Sequence, residues 1–262
     1  MVIEFGLGLL VGIVLALTGA GGGILTVPLL VFVMGLGLPQ AAPIGLLAVG
    51  LAAWVGAVIG LREGIVRYKA AVLMAFCGML LAPAGVWAAG RLEHSMLAML
   101  FALVLFYVAF RSVRQPSRHA IHARAIPCQL NPQTGRFRWT SRCAAIVSAS
   151  GSLAGFLSGL LGVGGGFVLV PALGRYSDLS MRSVTATSLA VIGLVSVSGV
   201  SSSVLAGNLD WTVALPFSAG AIAGMLTGQS ISARLDGKRL QKGFGLIAFI
   251  AAVALMIESI RY

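Results

Sequence analysis

Acidic side chains are scarce in this chain. Of its 262 residues only seven are Asp or Glu: Glu4, Glu63, Glu93, Asp178, Asp210, Asp236 and Glu258, each at or near the edge of an apolar run. With no carboxylate in mid-run, a paired-carboxylate catalytic centre and a proton relay built on Asp or Glu are both excluded. Histidine and cysteine are equally thin. His94, His119 and His122, with Cys77, Cys128 and Cys143, show no CxxC or other zinc-ligand spacing, so no metal and no cofactor is expected. Nor do a nucleophile and a base converge in the apolar segments, and the chain does not read as an enzyme. Charged residues of both signs make up 10% of the chain, against roughly 25% in an ordinary soluble domain.

Apolar side chains fill that gap. They make up 58% of the sequence and raise the mean hydropathy to +1.00, the composition of an integral membrane protein. The opening MVIEFGLGLLVG carries an acid and no base before its apolar run, unlike a cleaved signal peptide, and reads as part of the mature chain. A net charge of +11 raises the question of nucleic acid. The basic residues, however, cluster in loops between apolar runs and do not alternate with aromatics on one soluble face. They mark the cytoplasmic side of a bilayer, and no nucleic-acid partner is expected.

Six runs are long enough to cross a hydrocarbon core: 44–61, 70–90, 95–110, 183–206, 212–233 and 240–257. Four others, 2–17, 24–36, 144–161 and 167–176, are short and flank two glycine clusters, GAGGGILTVP at 19–28 and GVGGGFVLVP at 162–171. The second copy lies 143 residues after the first. That offset also pairs Gly64 with Gly207, Gly85 with Gly228 and Arg91 with Arg234, with a one-residue slip expected where Leu47-Ala48-Val49 meets Leu189-Ala190-Val191. Two related halves, 1–110 and 144–262, are therefore expected, joined by a linker at 111–143. The linker carries Arg111, Arg114, Arg118, Arg124, Arg136, Arg138 and Arg142, three prolines and no acid, and reads as a solvated or headgroup-hugging segment.

Charge selects a topology. If each glycine region enters the membrane and returns to its own side, every Lys and Arg except Arg91 and Arg261 falls on one side; a single crossing by each region splits them far more evenly. The positive-inside rule favours the first arrangement, with both termini outside and the linker cytoplasmic. The expected fold is an all-α polytopic membrane protein of two inverted repeats, each one broken re-entrant hairpin plus three transmembrane helices, a recurring plan of secondary transporters.

The glycine clusters are then the candidate site. Helices beginning at Ile24 and Phe167 would turn unpaired amides and the positive ends of their dipoles toward a bound anion without any charged side chain. The last position of a GxGxxG fingerprint is occupied by Ile24 and Phe167, and no Lys follows as a P-loop needs. Glycines at four-residue spacing, Gly220, Gly224 and Gly228, instead suit close helix packing. Around the clusters stand hydroxyls able to donate to an oxyanion: Thr18, Thr26, Ser158, Thr187 and Ser188. With Gly19, Gly21, Gly22, Gly23, Gly162, Gly164, Gly165 and Gly166 they form the candidate substrate-binding set. Under the slipped pairing, Thr187 and Ser188 face Gly45 and Leu46 in the first half, so the site is expected to be asymmetric. Pro83, in mid-run, could provide a kink or hinge.

These two motifs, the Thr187-Ser188-Leu189 that follows the second and the long central linker together resemble the sulfite exporter (TauE/SafE) family of bacterial membrane permeases. The resemblance implies a multi-pass protein of the bacterial cytoplasmic membrane that exports sulfite, organosulfonates or other small sulfur-containing anions. The residues themselves support a small anion as the partner, within a lipid bilayer; a passive channel and a non-transporting structural or sensory subunit are the alternatives. Cys77 reads as a small buried hydrophobe, and in a cytoplasmic linker Cys128 and Cys143 are expected to be reduced thiols.

Overall fold

A computed structural model describes residues 1–19, 21–113, 127–129, 137, 139–205, 207, 209–232, 249, 250, 252, 253 and 256. Within them lie nine helices: α1 (Val2–Thr18), α2 (Gly21–Met34), α3 (Leu38–Arg62), α4 (Tyr68–Ala89), α5 (His94–Val113), α6 (Ser141–Leu161), α7 (Gly166–Tyr176), α8 (Met181–Leu205) and α9 (Trp211–Ser232). The only strand-like pairing among the described residues is an isolated bridge from Cys128 to Ser177. Five helices, α3, α4, α6, α8 and α9, are long and apolar enough to cross a membrane. The α6 run, which looked marginal, reaches that length because Thr140 starts the helix early, its hydroxyl accepting the Cys143 amide at 3.2 Å. The 95–110 run lies in α5 but forms a shorter apolar segment, and the 240–257 run falls largely outside the described residues. Large apolar side chains such as Phe76, Leu80 and Trp87 on α4 are exposed, as a face turned to lipid would be.

The 143-residue offset holds without the expected slip. Residues 38–62 and 181–205 bound α3 and α8, and 68–89 and 211–232 bound α4 and α9. The counterparts of Thr187 and Ser188 are accordingly Ile44 and Gly45, and not Gly45 and Leu46. A loop of equal length on either side, closed by Gly64 at φ 68° and Gly207 at φ 71°, keeps the halves in step.

Packing follows small residues. On α9, Gly220 and Gly224 lie against the main chain at Phe5 and Leu9 of α1, and Gly228 against Ile13 and Ala16. Along α6, Gly151, Gly155 and Gly159 lie against Met74, Gly78 and Ala82 of α4. Both registers rise together, so each pair is parallel, and each joins the first helix of one half to the fourth of the other. The α3–α8 pair runs the other way: Leu46 meets Gly199, Gly50 meets Ser196 and Gly60 meets Ala186.

Both glycine regions are broken as expected, though the helices resume earlier than the apolar runs suggested. α2 begins at Gly21 and not Ile24, and α7 at Gly166 and not Phe167, because a helical glycine needs only tertiary support to overcome a propensity cost of about 1 kcal/mol. Gly19 and Gly162 cap α1 and α6 in the left-handed region, at φ 70° and 69°, and donate to Leu15 O and Ser158 O. These two acceptors are themselves 143 residues apart.

α6 and α7 fold back on one another. Gly165 lies against Ala154, while Leu173, Tyr176 and Ser177 line a shallow cleft with Ile146, Val147 and Ser150. Two linker residues close this end, Cys128 and Phe137, buried to 2% and 8% exposure. The Cys128 amide donates to Tyr176 O at 3.1 Å, and Cys128 forms a disulfide with Cys143, their Cα atoms 5.0 Å apart. The expectation of reduced thiols is thus overturned, and the linker is not wholly solvated. Main-chain pairing to the end of α7 carries Cys128 to the first turn of α6, an approach invisible in spacing alone.

Two outcomes follow. Leu in place of Gly155 or Gly224 should destabilise the detergent-solubilised protein by about 1–3 kcal/mol or more through overpacking. Leu at Gly6, where a β-carbon meets nothing within 4 Å, should leave the unfolding temperature unchanged. Alkylation of denatured, unreduced protein should modify Cys77 alone, and prior reduction should expose Cys128 and Cys143, as read by mass spectrometry.

Candidate functional site

The two clusters meet at the crossing of α3 and α8. A β-carbon at Gly23 would overlap the Val163 carbonyl, so the clusters touch main chain to main chain. Val49 of α3 and its counterpart Ile192 of α8 close around Gly164, each 3.1 Å from where its β-carbon would stand. Equivalent contacts recur in both halves. Gly19 lies against Thr185, and Gly162 against Ala42, its counterpart.

Four of the five predicted hydroxyls divide into three groups. Thr18 and Thr26 bond back to their own helices, at Val14 O (2.7 Å) and Gly22 O (2.8 Å), the ordinary use of Thr in an apolar helix. Thr187 lies away from the clusters in its bonding: its oxygen accepts the Arg67 amide at 3.1 Å and so anchors the loop between α3 and α4. Ser188 lies at the first cluster, 2.8 Å from Thr185 O and 3.2 Å from Gly19 O. Its counterpart Gly45 lies beside Gly162 O with no side chain to offer.

Ser158 is different. It is fully buried, and its hydroxyl has no hydrogen-bond partner among the described residues. Ser158 lies one turn beyond Ala154 on α6, and Ala154 is the residue that packs on Gly165 at the head of α7. The faces of α6 at Gly155 and Gly159 are taken by α4. Ser158 therefore stands past the N-terminus of α7, about 6 Å further along the hairpin, where the first amides of α7 point.

Those amides are also free. Gly164 and Gly165 hold φ of 77° and 65°, values only glycine adopts without strain. With the chain turned this way, the main-chain N–H groups of Val163, Gly164, Gly165, Gly166 and Phe167 find no acceptor among the described residues, and no side chain caps α7. All five residues are buried. Leaving a buried amide unpaired costs about 1–3 kcal/mol, so five cost on the order of 5–15 kcal/mol, as much as the whole stability of a typical domain. A group of acceptor chemistry is the natural occupant of such a turn.

The first cluster is built otherwise. Gly21, Gly22 and Gly23 are already helical, with Gly22 packed on Leu15 and Val11. The position equivalent to Ser158 is Leu15. Sequence reasoning expected an asymmetric site but drew the asymmetry from Thr187 and Ser188 and missed this difference, although the Leu15/Ser158 pair at the common offset carried the signal.

Among the described residues no group of three or more His, Cys, Asp or Glu converges as a metal site would. The described basic residues lie at helix ends. Arg142 precedes Ser158 by about 24 Å of helix, Arg175 follows Gly166 by about 13 Å and Arg182 precedes Ile192 by about 15 Å. Among the described residues no charged side chain is seen at the turn, which offers dipoles.

Comparison with known proteins gives the family. The family model described as Sulfite exporter TauE/SafE matches residues 4–255. A probable membrane transporter protein of Xylella fastidiosa (strain 9a5c) is 30% identical, the alignment covering 99% of this chain and 96% of the relative. The probable membrane transporter protein YunE of Bacillus subtilis is 25% identical over 97% of this chain and 96% of its own, and MJ0441 of Methanocaldococcus jannaschii, with the same description, is 25% identical over 74% and 68%. No solved structure matches. With a match to the family model along nearly its whole length, this chain belongs to the TauE/SafE sulfite exporter family of membrane transporters.

Proposed function

We propose that this protein is a secondary transporter that moves a small anion of the sulfite or sulfonate type across the bacterial cytoplasmic membrane, by alternating access around its two broken helices. The observation that carries the reading is the run of five buried, unpaired amides at 163–167. Irregular backbone at membrane depth is tolerated where protein or a polar cavity supplies its hydrogen bonds, and an anion supplies them best. The substrate type comes from the family.

Helix directions support an inverted-repeat reading. Two halves in the same orientation would make α3 and α8 parallel, whereas their register is antiparallel. Inverted halves also make α1 parallel to α9 and α4 parallel to α6, which is the register both pairs have. The α6–α7 hairpin returns to the side from which it starts, where Cys128 joins its two ends. With the basic loops cytoplasmic, that side faces the cytosol. There the burial of Cys143 (0% exposed) and Cys128 keeps cytosolic thiols from the disulfide, since exchange requires access.

Reconstituted vesicles test the reading. Sulfite or a simple sulfonate should cross with the protein and not without it. Leu at Gly22 or Gly165 should abolish flux in protein that still inserts, while Ala at Gly174, where a β-carbon meets nothing, should be neutral. Normal flux in both Leu variants would contradict the role given to the clusters. A reporter fused after residue 262 should report the outside and one inserted near residue 133 the cytoplasm.

A further inference from the structure

We infer that the anion seat belongs to the second hairpin alone, formed by the 163–167 amides and the Ser158 hydroxyl, and that it selects singly charged oxyanions over doubly charged ones of the same shape. The inference deepens the transport reading and takes its biological meaning from it.

The asymmetry rests on two differences between otherwise matched halves. Position 158 is a buried, unpartnered hydroxyl where position 15 is Leu. Gly164 and Gly165 are left-handed where Gly21 and Gly22 are helical, so among the described residues the second turn sets amides of non-helical backbone ahead of its helix end. Ser188, which reaches the first cluster from α8, is already engaged with carbonyls, as are Thr18 and Thr26. The first hairpin thus presents packing surface to the seat, through Gly23 on Val163.

The charge preference follows from what surrounds the turn. Val49, Ile192, Ala154 and Phe167 are apolar, and the described basic residues stand at helix ends. The cost of removing an ion from water rises with the square of its charge, whereas its attraction to fixed neutral dipoles rises only in proportion to that charge. Five amides and one hydroxyl can match a monoanion. For a dianion the penalty grows faster than the gain, and among the described residues no cation at the seat makes up the difference. Ser158 donates one hydrogen bond to the ion; an oxyanion with several acceptor atoms uses it together with the amides, which are arranged on one side.

Methanesulfonate and sulfate provide the test, because a methyl group replaces one oxygen and removes one charge at nearly constant shape. Binding to the purified protein is measured by titration calorimetry, and flux in reconstituted vesicles, each at neutral pH. The wild type should bind and carry methanesulfonate at least tenfold better than sulfate. Ser158→Ala should weaken methanesulfonate binding about tenfold, Ser158→Thr should restore most of it, and Leu15→Met should change nothing. Equal handling of the two ions, or unaltered binding by Ser158→Ala, overturns the seat even if flux is robust. Selective, Ser158-dependent binding without flux of any anion would leave the seat standing and overturn the transport reading instead.

Discussion

A main-chain amide inside hydrocarbon has no water to turn to, and the centre of this protein is arranged around that constraint. A continuous helix satisfies its own amides, so breaking one at membrane depth requires a protein shell that supplies partners or encloses the gap. Here the shell is the α3–α8 pair, which closes on Gly164 through Val49 and Ile192. That pair is in turn held by the two parallel glycine-lined interfaces, α1 with α9 and α4 with α6. Close main-chain approach outside thus makes irregular main chain inside tolerable.

The same constraint accounts for the economy of charge. Among the described residues the charged side chains stand at helix ends and leave the interior to dipoles, and a dipole site can be made from glycine. Glycine admits the left-handed turn at residues 164 and 165, lets Val163 meet Gly23 without an intervening side chain, and exposes the amides that result. One cluster serves all three purposes at once. The first cluster, with Leu15 beside it, serves chiefly the close contact.

Much of this architecture was legible in the residues. The duplicated glycine clusters, the constant offset and the long apolar runs all correspond to elements at matching positions, because hydrophobic length and glycine placement act locally. What was not legible depends on contacts between distant parts. The expected slip near residue 189 rests on the shared Leu-Ala-Val, which recurs one position out of step, and it displaces the partners of Thr187 and Ser188 by one position. Thr187 went to the Arg67 loop because α8 lies beside that loop, which nothing around residue 187 announces. Helix starts at Gly21 and Gly166 reflect tertiary support for residues that resist helix in isolation. The pairing of Cys128 with Cys143 required the linker to find the end of α7 first.

That pairing has a covalent consequence for the linker as a piece of chain. The disulfide closes a ring from residue 128 to residue 143, and the only continuous connection between the two halves runs through it. A single cut in the polypeptide within this ring leaves the halves joined through sulfur, so the protein can lose its continuity there without losing its unity. The link between the repeats is doubled at the point where a chain of two halves is most vulnerable to being divided.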